Sequence, residues 1–279
     1  MNKQLSRHNF WIIALNSTAA YILSYLFLFY LNQFSYLLTA GMYDYAISVD
    51  YATYFFHVEP YEWTHDAVIM IFSSGYILTF LVGLLSLLAF YQLAPDAIPI
   101  KVFFFWTSFH AMTYVFGGLM LGSLLTKGIG HVFTWMYMND TAKMIISLVG
   151  FFGLLMMSIF SARLVALSSN AYFDKYNERM GPFFITGQVL VPYLIGSVLI
   201  FVYFMPNPQF HERYSWIIIG VMLLIFFLRA RYNDDLMFEG DDDNRSIRLM
   251  KGFIIFTALF YVLSRIVMAK GIFIDWGVY

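Results

Sequence analysis

Uniformly apolar runs of helix length punctuate this chain, at about 10–32, 67–92, 102–126, 142–165, 184–205, 214–230 and 252–269. Each is compatible with crossing a hydrocarbon core of about 30 Å as a helix, which satisfies its own backbone polar groups inside lipid. The pattern predicts an all-α, polytopic transmembrane bundle of about seven spans. Six or eight remain open, because the sixth run is the shortest and residues 127–141 could form a re-entrant loop. The first run follows a short basic start and is too long for the core of a cleaved signal peptide, so it reads as a retained signal-anchor helix.

One stretch breaks the helical pattern. In "YDYAISVDYATYFFHVEPYEWTHD", Tyr43, Tyr45, Ile47, Val49 and Tyr51 alternate with Asp44, Ala46, Ser48 and Asp50, the period of a half-buried strand. "TYFFHV" is its candidate hairpin partner. Residues 33–66 are therefore expected as an external aromatic and acidic segment, either a small sheet offering an edge to a peptide or part of an interfacial aromatic belt.

Composition agrees with a membrane solvent: the chain is 61% hydrophobic and 12% charged, against about 25% charged in soluble domains. We expect a single membrane domain over residues 1–279. The net charge of −1 argues against nucleic acid as a partner, leaving membrane lipid and a membrane-protein partner. With no cysteine, disulfides, thiolate ligands and cysteine nucleophiles are excluded.

Basic residues are retained on the cytoplasmic side. Lys3, Arg7, Lys101, Arg163, Lys175, Arg179, Arg229, Arg231, Arg245, Arg248 and Lys251 fall on one side, and Lys127, Lys143, Arg213 and Lys270 on the other. This places the N-terminus in the cytoplasm of a bacterial-type inner membrane and 231–251, with Asp241 to Asp243, in a charged cytoplasmic loop.

Candidate chemistry is sparse. His57, Glu59, Glu62, His65 and Asp66 crowd together outside, and with His110 and His131 they supply the only histidine set that could hold zinc. The competing expectation is an interfacial loop in which Thr64, His65 and Asp66 cap the second span. In "SFHAMTYVFGGLMLGSLL", His110 lies in an apolar run ahead of Gly117, Gly118 and Gly122, small residues that let a neighbouring helix approach closely. Gln188 precedes Pro192 in mid-span, where proline frees a carbonyl and kinks the helix, a device transporters use for midplane sites. Arg265 lies inside the last span, near enough to its outer end to snorkel. His110, Gln188 and Arg265 form the candidate polar membrane site. No cofactor is expected beyond zinc at the histidines.

The order of a first span, an external hairpin and then a span with small residues near its start, "IFSSGYILTFLVGLL", resembles site-2 protease-like membrane metalloproteases over residues 10–140. That family carries HExxH on the first helix and an aspartate-containing motif on a later one, together holding a catalytic zinc. Here the first span has no histidine or glutamate and the third offers "FHAMTYVFGG". The hairpin would also lie on the opposite side of the membrane. The resemblance thus implies at most a degenerate relative without the catalytic set. A non-catalytic protein binding a protein or lipid partner, through the outer aromatic segment and the glycine face, is the leading expectation. A transporter and a membrane metalloenzyme are the alternatives.

Overall fold

The computed structural model describes residues 5–93, 98–206, 208, 210–230, 235–238 and 247–277. The charged loop expected at 231–251, including Asp241 to Asp243, lies largely outside the described residues. Among the described residues seven helices are long and apolar enough to cross a membrane: Arg7–Gly41, His65–Gln92, Ile98–Leu125, Asp140–Ala171, Gly181–Phe204, Arg213–Ala230 and Lys251–Met268. The chain is an all-α helical bundle and an integral membrane protein.

The helices are α1 (Arg7–Gly41), α2 (His65–Gln92), α3 (Ile98–Gly117), α4 (Ser123–Leu125), α5 (Gly130–Trp135), α6 (Asp140–Ser168), α7 (Gly181–Ile185), α8 (Val191–Phe204), α9 (Phe210–Ala230) and α10 (Lys251–Met268). One π-helical turn, Gly118–Gly122, joins α3 to α4, and another, Thr186–Leu190, joins α7 to α8. Polar side chains start the spans by accepting the backbone N–H groups that a first helical turn leaves unpaired. Ser6 accepts from Asn9 N at 3.1 Å, Thr64 from Ala67 N at 3.3 Å and Asn139 from Ala142 N at 2.9 Å. The expected cap of the second span is thus formed by Thr64, with Asp66 in the first turn. Residues 127–141 hold only the short helix α5, whose six residues rise about 9 Å, so they do not add a span.

The anticipated signal anchor is the central helix. Asn16, Ser17, Ala20, Tyr21, Ser24, Tyr25 and Asn32 are all buried on α1, whereas Thr257 is the one buried residue of α10 among those described. The outer helices instead present Leu, Ile, Phe and Val outward, as a lipid-facing surface requires. The first helix also runs nine residues past the expected 10–32, with Gln33 and Tyr36 buried on it. The non-helical part of the outer segment therefore begins at Met42.

There, β1 (Ile47–Val49) pairs antiparallel with β2 (Tyr54–Phe56), matching Ile47 with Phe56 and Val49 with Tyr54. The hairpin is shorter than the alternation suggested, because Asp44 takes a left-handed turn (φ 57°) and Asp50 closes the connection. Asp50 Oδ1 accepts from Ala52 N and Thr53 N, each at 2.6 Å. Unanticipated from sequence, Ile272–Ile274 near the C-terminus adds a strand to the free side of β1. Pairing between a strand after the first span and one after the seventh requires both at the same end of the bundle, which an even number of intervening crossings satisfies. At the opposite end, Lys175–Tyr176 pairs with Leu236–Met237, and Asn16 near the start of α1 bonds Arg248 O and Met250 N, each at 3.0 Å.

Arg265 terminates this architecture on the sheet side. Its guanidinium donates to Val202 O at 2.8 Å and Met205 O at 2.9 Å and lies 5.2 Å from the Tyr51 ring centre. A cation thus sits on carbonyls at the C-terminal end of α8, where the helix dipole is negative, with an aromatic face beside it. Arg265→Leu is expected to cost about 1–2 kcal/mol. A detergent thermal-shift assay should show a lower midpoint for this variant and a smaller loss for Arg265→Lys.

Candidate functional site

The glycine stretch after His110 is packed within the chain itself. A Cβ on Gly117 would sit 2.9 Å from Ile218 Cδ1 of α9, one on Gly118 would sit 2.3 Å from Tyr76 Cε1 of α2, and one on Gly122 would sit 2.7 Å from Lys127 O. The three small residues therefore each make room for a different neighbour within this chain. The π turn leaves its own ladder irregular, and Ser147 of α6 donates to Met120 O at 2.8 Å to satisfy it.

The second π turn has a cause in the sequence. Pro192 has no N–H to offer the carbonyl of Gln188 four residues earlier. Ser17 of α1 supplies the donor instead, its hydroxyl reaching Gln188 O at 2.6 Å, while Trp106 Nε1 of α3 donates to Ser17 Oγ at 2.8 Å. The fifth span is thus tied to α1 and α3 beside its π turn. The Gln188 side chain is fully buried, and neither of its amide atoms has a hydrogen-bond partner among the described residues.

Between α1, α2, α3 and α9 the bundle holds a chamber of about 100 Å³, partly open to the surroundings. Its wall carries His110, Asn32 and Gln33 and six tyrosines: Tyr25, Tyr36, Tyr54, Tyr76, Tyr114 and Tyr214. Among the described residues no aspartate, glutamate, lysine or arginine lines it. It runs from His110 in the third span to Tyr54 on the outer hairpin and Gly128 in the following loop. Ring pairs form much of the wall, with Tyr36 and Tyr54 centres 4.6 Å apart and Tyr76 and Tyr114 centres 4.7 Å apart. Tyr36 and Tyr114 bring their hydroxyls to 3.3 Å. His110 is buried, its ring 4.4 Å from Tyr21 and 5.4 Å from Tyr25.

The amides in the wall are only half used. Asn32 Nδ2 donates to Leu28 O and Thr79 Oγ1, each at 2.9 Å, and Gln33 Nε2 donates to Asp50 O at 3.1 Å. Asn32 Oδ1 and Gln33 Oε1 accept nothing among the described residues. A buried acceptor without a donor carries a desolvation cost of about 1–3 kcal/mol, and both oxygens are sealed from the chamber, Asn32 Oδ1 lying against Gly75 of α2.

The remaining sequence candidates lie in separate places. His57 pairs with Ser48 Oγ at 3.0 Å between the rings of Phe55 and Phe273. His65 is 3.3 Å from Asp66 and stacks over Tyr137. His131, on α5, packs against Phe72. Among the described residues no three His, Asp or Glu side chains come together as metal ligands. His110 lines the chamber, while Gln188 and Arg265 do not, so the polar membrane trio is not one site.

His131 titrates below its ordinary range, because burial penalises the imidazolium and Lys127 adds like charge. The unfolded chain therefore takes up this proton first as pH falls through about 6.5. The histidine's contribution is intact above that value and declines until the pH passes below the folded pKa. His131→Phe is expected to flatten this part of the pH dependence, read as midpoints of thermal unfolding in detergent across the acidic range.

The tyrosine chamber was not legible as a unit from sequence. Its residues are scattered over α1, the hairpin, α2, α3 and α9, and the one local signal was the repeated placement of polar side chains along the first span. No family model matches the chain, and no curated protein or solved structure is significantly similar to it. Fold and site together define a polytopic membrane protein with an aromatic chamber inside its bundle, lined by no charged side chain among the described residues.

Proposed function

We propose that this chain is a non-catalytic integral membrane protein that binds a lipid-class partner within the membrane, in the tyrosine-lined chamber. One observation carries the proposal: a tyrosine-rich cavity set among spans, with no charged side chain among its described lining residues. Such a wall suits a ligand drawn from hydrocarbon better than an ion drawn from water. The membrane is a bacterial-type inner membrane with the N-terminus cytoplasmic, a sidedness supported by the distribution of Lys and Arg.

Native mass spectrometry of the full chain in mild detergent tests the binding. A retained small lipid is expected, and Leu121→Trp, which narrows the chamber, should lose it. A bare polypeptide mass that persists after lipid loading would oppose the proposal. For sidedness, single cysteines replacing Glu59 and Lys175 should react with an impermeant reagent from opposite faces.

A transporter is the second reading, favoured by the π turn in the fifth span and the buried amide of Gln188. It requires water to reach that residue in some state. A cysteine at position 188 that stays unlabelled by a small impermeant reagent during lipid exchange would set this reading aside. The metalloenzyme reading, and with it descent from a site-2 protease-like protein, has less support, since the four candidate histidines occupy separate surroundings.

A further inference from the structure

A groove separate from the chamber site runs between α6 and α9, with Met120 and Leu121 of the first π turn also in its wall. Its residues Phe151, Ile217 and Val221 are exposed on the outside of the bundle. On α9 it is lined by Tyr214, Ile217, Ile218, Val221, Met222 and Ile225, a spacing that forms one straight stripe along a helix. From Tyr214 to Ile225 the stripe rises about 16 Å, close to half of a hydrocarbon core of about 30 Å. The groove is therefore one leaflet long. It holds about 230 Å³. A single helical turn with its side chains, about 10 Å across and about 5.4 Å long, takes up roughly 400 Å³. A hydrocarbon chain fits this groove and a helix does not.

Basic side chains gather at one end of the stripe. α6 and α9 both start at the sheet end of the bundle, and Ser158 of α6 donates to Met222 O of α9, which fixes their relative levels. Arg213 directly precedes Tyr214 at the top of the stripe, is exposed, and donates through Nε to Pro208 O at 2.9 Å. Lys143 precedes Ser147 by one turn on the same side of α6, and the bond from Ser147 to Met120 O turns that side toward the π turn. Counting helical rise from Ser158 and Met222 puts Lys143 about 9 Å beyond Arg213 along the bundle axis. Asp140 lies in the same first turn of α6, and among the described residues neither base is in an ion pair. A phosphate seated at the top of the groove thus has a basic side chain on each flanking helix. A second copy docked here about a two-fold axis would instead bring Arg213 and Lys143 against their own counterparts, like charge on like.

We infer that the groove holds one acyl chain of an anionic phospholipid from the leaflet at the sheet end, with its phosphate between Arg213 and Lys143. The chain lies along the α9 stripe against Leu154 and Leu155 of α6. Length, volume and charge select this occupant together: one leaflet, one chain, one anionic head.

Native mass spectrometry of the full chain in mild detergent tests the inference with phosphatidylglycerol, with phosphatidylcholine carrying the same acyl chains, and with glycerol phosphate as the chainless head. Phosphatidylglycerol is expected to bind one to one, and phosphatidylcholine roughly tenfold more weakly, because it lacks the net negative charge that two basic side chains attract. Glycerol phosphate should not bind. Arg213→Gln and Lys143→Gln combined should bring the two phospholipids to within about twofold of each other. Leu155→Trp, at a residue that lines the groove and not the chamber, should weaken both. The small lipid expected in the chamber should be retained in all these variants. Equal binding of the two phospholipids to the unmodified chain, a comparison that needs no variant to fold, would overturn the inference and leave the chamber reading intact. Absence of binding by either phospholipid would overturn it as well, and so would binding of glycerol phosphate as tightly as the lipid. A two-chain mass that disappears in Leu155→Trp would give the groove to a second copy and overturn it too.

Discussion

Gly150→Ala is expected to be among the most damaging single substitutions in this chain, although it adds only a methyl group. A Cβ at that position would lie 2.6 Å from Met120 N and 2.6 Å from Phe116 O, both backbone atoms of the third span. A flexible side chain can turn aside, but backbone cannot, so α6 must be pushed away from the π turn. That displacement also breaks the bond from Ser147 to Met120 O. The cost should reach about 3 kcal/mol or more, against a typical substitution near 1 kcal/mol. Gly252→Ala is the matching control, since nothing lies within 4 Å of its Cβ position and alanine favours a helix. Size-exclusion recovery and thermal midpoints in detergent should show a large loss for Gly150→Ala and none for Gly252→Ala.

The second large effect is expected at Gly118. Its Cβ would meet Tyr76 Cε1 at 2.3 Å, and Tyr76 is further confined by Gly128, whose Cβ position is 2.6 Å from the same phenolic oxygen. Gly118→Leu therefore drives the Tyr76 ring into the chamber or separates α2 from α3. Overpacking of this kind costs about 1–3 kcal/mol, and it closes the ligand space as well. His110→Ala acts in the opposite sense: it empties part of the wall, costs stability through lost ring contacts, and leaves the chamber open. Retained lipid, measured by mass spectrometry, should vanish in Gly118→Leu and persist, more weakly held, in His110→Ala. The reverse order would move the function from the shape of the chamber to chemistry at the imidazole.

These two glycines show what sequence could and could not reveal. Gly118 stood out because Gly117, Gly118 and Gly122 cluster in one run, whereas Gly150 and Gly153 sat unremarked in "SLVGFFGLL", where nothing local shows that Phe116 and Met120 press on them. The span pattern was legible because each helix must satisfy its own backbone in lipid, so length and apolarity suffice to find it. Which helix lies at the centre was less so: α1 is apolar enough to look like an anchor, yet its Asn16, Ser17, Tyr21 and Asn32 are the groups the other helices gather around. That Pro192 would free a carbonyl was anticipated, but not that it would come with a π turn or that Ser17, held by Trp106, would complete that carbonyl, a contact spanning 171 residues. Likewise the hairpin was foreshadowed by alternating aromatics, while its third strand came from beyond the seventh span. The chamber assembles from such distant pieces, and only the fold makes neighbours of Tyr25, Tyr54, Tyr76 and Tyr214.

The most direct test of lipid binding is an electron cryo-microscopy structure of the full chain in a nanodisc made from the lipids of its expression host. Density for a single molecule should fill the chamber beside Tyr36 and His110. A chamber holding only separate water peaks would contradict it.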